Sequence, residues 1–182
     1  MTKDVRISGT PTVDLTVTHS APVGQVSVML VDYGAMDRVS TTGDGALTLT
    51  TETCWGESIA TDDACYKDVT RRLQTTQLQV LARGWARLDG AGKHQVTVEL
   101  AANDVVVPAG HQLGLVVSGA SNGVIAVDAS SGTYAVDLRS TRLNLPVSGP
   151  MSGFAPGHLT AKDTDDLAKG TLPNLDETVW PR

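Results

Sequence analysis

Leu78-Gln79-Val80-Leu81-Ala82-Arg83-Gly84-Trp85-Ala86-Arg87-Leu88, then Gly92-Lys93, then Val96-Thr97-Val98-Glu99-Leu100, then Val107-Pro108-Ala109-Gly110-His111-Gln112-Leu113-Gly114-Leu115-Val116-Val117-Ser118 is the stretch that decides the fold. It reads as three β-strands joined by polar turns. Pro108 stands just before its strand, where a missing N–H removes no ladder bond. Working outward, residues 12–19 (TVDLTVTH) alternate, with Val13, Leu15 and Val17 on one side and Asp14, Thr16 and Thr18 on the other. That is the two-residue period of a half-buried strand. Ala21-Pro22-Val23-Gly24 is a turn signal. Residues 25–33 (QVSVMLVDY) form a second strand, apolar enough to be central.

Thr41-Thr42-Gly43-Asp44-Gly45 breaks the chain, and Ala46–Thr53 resumes the alternation. Further strands are expected at 76–87, 94–101, 111–118, 123–129, 133–139 and 141–147, with Asn122-Gly123 suited to a tight hairpin. About nine short strands, with a turn signal roughly every ten residues, point to an all-β sandwich or barrel. No helix of useful length is expected, which argues against a parallel βαβ sheet. Each strand has one apolar face, and two sheets must stack to hide those faces. A domain over 1–149 is expected, followed by an irregular tail over 150–182. Leu172, Leu175 and Trp180 could drape that tail over the sandwich; a disordered tail is the alternative.

The 182 residues, 41% hydrophobic and 19% charged, are enough for one domain with a real core. The net charge is −6, and Arg71-Arg72 is the densest basic cluster. That balance leaves no electrostatic footprint for nucleic acid or an anionic membrane. No apolar run approaches the roughly 20 residues that span a bilayer. Met1-Thr2-Lys3-Asp4 has no apolar segment behind it, so a signal peptide is not expected within this chain.

Residues 54–74 are polar, lack alternation and carry both cysteines, Cys54 and Cys65. A long loop is expected here, with a helical turn near Asp68–Leu73. A Cys54–Cys65 disulfide is favoured over two reduced thiols. It would stabilise the domain by about 3 kcal/mol on the chain-entropy model. An even cysteine count in a loop-rich β protein fits a secreted or extracellular setting. Metal binding is poorly supported, because two thiolates need further ligands and no CxxC or neighbouring histidine supplies them.

Gly119-Ala120-Ser121-Asn122-Gly123 matches the GxSxG pattern of a nucleophile elbow, with Asp128 or Asp137 and then His158 following in hydrolase order. The elbow needs a helix directly after its serine, whereas Val124-Ile125-Ala126-Val127-Asp128 reads as a strand. Ser121 is therefore expected at a hairpin tip rather than in a triad. His19, His94, His111 and His158 are scattered, without HExxH spacing. His111 opens a strand, and a structural role bonding backbone is expected. From Asp163, an EF-hand would need glycine where Ala168 stands and a carboxylate where Asn174 stands, so the match fails. Glu57, Asp62 and Asp63 could serve an irregular structural calcium site; solvated loop carboxylates are the simpler reading. Trp85 is expected in the core and Trp55 against the disulfide loop. Exposed tryptophans would instead leave room for a sugar platform.

Several segments resemble the C-terminal non-catalytic domain of the Xaa-Pro dipeptidyl-peptidase and cocaine-esterase-like serine hydrolases. They are Ser8-Gly9-Thr10-Pro11-Thr12-Val13-Asp14-Leu15, Val28-Met29-Leu30-Val31-Asp32-Tyr33-Gly34, Thr53-Cys54-Trp55-Gly56-Glu57-Ser58, Arg83-Gly84-Trp85-Ala86, Pro108-Ala109-Gly110-His111-Gln112-Leu113 and Leu143-Asn144-Leu145-Pro146-Val147. The resemblance covers residues 8–148. It implies a galactose-binding-like jelly roll that packs on an α/β-hydrolase domain and shapes its substrate entrance. The parent activity would be Xaa-Pro dipeptide release, or a related acyl hydrolysis, by a Ser-His-Asp triad that has no counterpart here. No cofactor is implied. A stand-alone module binding carbohydrate or protein is the alternative. One departure stands out: the family carries a longer insertion after Gly84-Trp85-Ala86, where this chain has only Arg87-Leu88-Asp89-Gly90-Ala91-Gly92-Lys93.

Overall fold

The computed structural model describes residues 1–40, 42–119 and 132–155. Twelve strands follow one another in these residues: β1 (Val5–Gly9), β2 (Thr12–His19), β3 (Val23–Val39), β4 (Ala46–Cys54), β5 (Cys65–Arg71), β6 (Leu73–Asp89), β7 (Gly92–Glu99), β8 (Asn103–Val107), β9 (Gln112–Ser118), β10 (Tyr134–Val136), β11 (Arg142–Asn144) and β12 (Val147–Ser148). Single 3-10 turns stand at Thr42–Gly45 and Met151–Gly153. The all-β expectation holds, with no α-helix among the described residues.

The chain divides into two compact units. Among the described residues, one holds Met1–Ala35 and those that follow from Gln77; the other holds Met36–Thr76. In the first, β1 lies between β8 and β12, β2 pairs with β7, β10 and β11, and β3 lies between β6 and β9. The pairing of β2 with β7 is antiparallel, with Thr12 facing Glu99 and His19 facing Gly92.

One core joins these sheets. Val13, Leu15 and Val17 of β2 enter it, as their alternation predicts, with Val5 and Ile7 of β1, Val26, Val28 and Leu30 of β3, Leu88 of β6 and Val98 of β7. The outer face of β2 is polar: Thr97 donates to one oxygen of Asp14 at 2.7 Å and Asn144 to the other at 3.1 Å. The strand β3 is buried on both faces, since Met29 and Val31 enter a second cluster with Leu78. Two buried faces explain its unbroken apolar run.

Gly84 fits the same logic. A β-carbon there would lie 2.1 Å from the Glu99 carbonyl oxygen. Only glycine lets β6 come this close, and the Ala101 N–H then donates to the Arg83 carbonyl at 2.9 Å. Ala82 and Leu88 are buried and Ala86 packs on the core, so positions 82, 84, 86 and 88 form the inward row. Trp85 has the opposite parity. It is 38% exposed, which corrects the expectation of a core tryptophan. The short connection Gly90-Ala91 turns β6 into β7, with positive φ at Gly90 and Gly92.

Two expectations about 54–74 are corrected. The segment is not a plain loop, because Cys65–Arg71 is a strand paired with β4, and β6 already begins at Leu73. No helical turn occupies Asp68–Leu73. The expected strand at 123–129, the Asn122-Gly123 hairpin and most of the 150–182 tail lie outside the described residues.

Candidate functional site

The unit Met36–Thr76 is a ribbon with little core of its own. Its base is tied by polar contacts. Arg38 donates to the carbonyl and hydroxyl oxygens of Thr76 at 2.9 and 2.8 Å, and the Thr75 hydroxyl donates to Asp37 at 2.6 Å. The backbone of Ser40 donates to Arg72, and that of Arg72 to Gly45, both at 2.8 Å. Beyond this base, β4 and β5 pair from Ala46 opposite Arg71 to Cys54 opposite Cys65, with a register shift between Thr48 and Glu52. Residues opposite one another share a face. Glu52 and Lys67 therefore meet as an ion pair. On the other face the Thr53 hydroxyl donates to Asp68 at 2.6 Å. Hydrogen bonds from Thr51 and Thr53 hold the Asp68 carboxyl below the usual carboxylate range.

The tip, residues 54–65, is closed by the expected Cys54–Cys65 disulfide. Its backbone is bonded at several points. The Trp55 N–H donates to the Ala64 carbonyl at 2.8 Å, and Ile59 and Asp62 exchange backbone bonds of 2.7 and 3.2 Å. Asp62 organises the turn, accepting from the Ala64 N–H and from the Tyr66 hydroxyl, each at 2.8 Å. Those two bonds, the tyrosine's first, lower the Asp62 carboxyl below its ordinary pKa, and the same contact raises the Tyr66 hydroxyl. Asp63 accepts from the Cys65 N–H at 3.0 Å. Ala64 is thereby held at a φ of 58°, a left-handed conformation that few non-glycine residues adopt.

This bonded tip carries exposed apolar side chains. Trp55 is 69% exposed and Ile59 67%. Trp55 therefore does not pack against the disulfide loop as expected; the clasp is too small to cover an indole. Of the twelve exposed large hydrophobic residues among those described, nine fall within Met36–Thr76; the others are Trp85, Val106 and Leu138.

The histidines among the described candidates, and Asp137, make contacts within the fold. His111 stands at the start of β9 as expected, but its partner is not backbone. Its Nδ1–H donates to both carboxylate oxygens of Asp32, at 2.9 and 3.0 Å. Asp32 is buried on β3, and a buried carboxylate needs such a partner. Gly34 makes room for the ring, since a β-carbon there would lie 2.4 Å from it. His19 is buried against Tyr134, with ring centroids 4.5 Å apart. His94 bonds the Gly90 carbonyl at 2.9 Å. Asp137 builds a turn, accepting from the Arg139 N–H at 3.0 Å. Ser121, Asp128, His158, Asp163, Asp165, Asp166 and Trp180 lie outside the described residues. Among the described residues, no three of His, Cys, Asp and Glu gather to hold a metal, Glu57, Asp62 and Asp63 included. No described helix is long and apolar enough to cross a membrane.

The family model of the X-Pro dipeptidyl-peptidase C-terminal non-catalytic domain matches residues 1–167. The chain belongs to that family. A Streptomyces avermitilis protein, provisionally named an Xaa-Pro dipeptidyl-peptidase, is 36% identical over 165 residues. The match takes in 83% of this chain and 24% of the relative, so this non-catalytic domain spans about a quarter of the protein it resembles. The residues matched by the family model, 1–167, span the positions of Asp32, Trp55, Ile59, Gly84 and His111.

Proposed function

We propose that this chain is the accessory β-sandwich domain of an Xaa-Pro dipeptidyl-peptidase-type serine hydrolase. In this reading the sandwich is a jelly roll of the galactose-binding-like kind. It packs on an α/β-hydrolase domain, which supplies the Ser-His-Asp triad, and helps shape the path by which Xaa-Pro substrates reach it. The observation that carries the reading is the family match over residues 1–167 to a domain described as non-catalytic. The length of the relative, of which this chain covers 24%, supports it by leaving ample polypeptide for a catalytic domain. The solvent-facing Cys54–Cys65 disulfide fits an extracellular location, where such a bond persists.

Sedimentation velocity tests this reading. The 182-residue chain mixed with its catalytic portion is expected to give one heavier species. Two unchanged boundaries at micromolar concentration would remove the proposal.

A second reading, a carbohydrate-binding module, is favoured by one observation. Trp55 and Tyr66 are both exposed, and aromatic faces stack on sugar rings. A glycan array probed with the chain is expected to stay blank; defined hits lost on Trp55→Ala would shift the assignment to this second reading.

A further inference from the structure

Resting on the accessory-domain reading, we infer that the disulfide-closed tip of the β4–β5 ribbon is the contact that seats this domain on the catalytic portion of the same polypeptide. The occupant is fixed by two observations. The family's domain is non-catalytic, and about three quarters of the relative's length lies outside the matched region. The surface is fixed by where apolar groups remain in water. Trp55 and Ile59 are about two-thirds exposed, and Tyr66 is half exposed beside them. Tryptophan and tyrosine are the side chains that most often anchor an interface.

The tip is also ordered before it meets a partner. The disulfide, the Ile59–Asp62 backbone pair and the two bonds to the Asp62 carboxylate fix the loop that presents these side chains. A pre-ordered loop loses little conformational entropy on binding. The tip has a chemical rim as well. Residues 54–65 carry Glu57, Asp62 and Asp63 and no lysine or arginine. The matching surface is therefore an apolar socket edged by basic side chains, and the contact weakens with salt at its rim.

Hydroxyl-radical footprinting tests this on two samples: the 182-residue chain, and the enzyme polypeptide that carries it together with its catalytic portion. Labelling of Trp55 and Ile59 is expected to fall at least fivefold in the enzyme, while Leu138, the most exposed of the other large apolar residues, changes less than twofold. Protection elsewhere on the domain with the tip fully labelled would overturn the inference and leave the accessory-domain reading standing. No protection anywhere would remove both. Tip protection that appears in the isolated chain as its concentration rises would place a second copy on the tip, and would also overturn the inference. A Trp55→Ala/Ile59→Ser enzyme gives the independent check: its tip peptides should exchange amide hydrogen as fast as in the isolated chain, and exchange unchanged from the unsubstituted enzyme would contradict a seating role.

Discussion

Replacing Gly84 by alanine should be the most damaging single-methyl change in the domain. The new β-carbon would lie 2.1 Å from the Glu99 carbonyl oxygen and 2.9 Å from both the carbonyl carbon and Leu100 Cδ2. Ordinary carbon contacts sit at about 3.5 Å or more, so the strands must separate by roughly 1 Å. The obstacle is backbone and cannot rotate aside. The adjoining hydrogen bond, from the Ala101 N–H to the Arg83 carbonyl, is stretched by the same movement. Overpacking costs about 1–3 kcal/mol, and a weakened hydrogen bond adds about 1 kcal/mol. The total, about 2–4 kcal/mol, corresponds to a fall in Tm of roughly 5–15 °C for a chain of this size. Gly114→Ala is the control. Its β-carbon would meet only Val31 Cγ2, at 3.3 Å, where a shift of a few tenths of an ångström suffices and no backbone is in the way, so its cost should stay under about 1 kcal/mol. Guanidinium unfolding and calorimetry of both variants measure the difference. A Gly84→Ala domain as stable as the parent, or no worse than Gly114→Ala, would refute the close-approach explanation.

Reducing the disulfide, or substituting both cysteines by serine, should loosen the tip by about 3 kcal/mol, given the 11-residue separation it closes; faster proteolysis within 46–71 reports it, and an unchanged cleavage rate would deny the clasp its role. Leu88→Ala, at a fully buried position, should cost about 2–5 kcal/mol in denaturant unfolding; a loss under 1 kcal/mol would mean the core closes over the gap or is not packed as described. Asp62 has a folded pKa below its unfolded value. Its contribution is present above the unfolded carboxylate range and disappears as pH falls through the lower folded value. Amide exchange at the tip should accelerate, beyond the intrinsic pH dependence, as pH drops through that window; Asp62→Asn should flatten the acid response, and a response unchanged in the variant would assign it elsewhere.

What the sequence disclosed depends on how strongly each segment answers to a core. Val13, Leu15 and Val17 enter the core while the residues between them are polar, so the alternation of β2 was legible even though Thr16 is buried as well. The apolar run around Met29 marked a strand covered on both sides, as β3 is. The ribbon was legible only in part. The alternation over Ala46–Thr53 marked β4, although nearly every residue of it is exposed; β5 is almost as exposed and is polar without alternation, so it read as loop. Around Trp85 the inward row holds only the small residues Ala82, Gly84 and Ala86, with Gly84 set against the Glu99 backbone of β7. Trp85, the bulky residue beside them, therefore looked like the core one. His111 was visible as a candidate, but Asp32 is 79 residues away and only strand pairing brings it near. The exposed tip was the hardest to foresee, because Trp55 beside a cysteine resembles a packed residue until its neighbours are known.

The most direct measurement is hydrolysis of a chromogenic Xaa-Pro dipeptide anilide by the catalytic portion, with and without this chain. The chain alone should release no product, and adding it to the catalytic portion should raise kcat/KM or extend the half-life of the activity. Hydrolysis by the chain alone, or identical kinetics whether or not it is present, would contradict the assignment of a non-catalytic accessory domain.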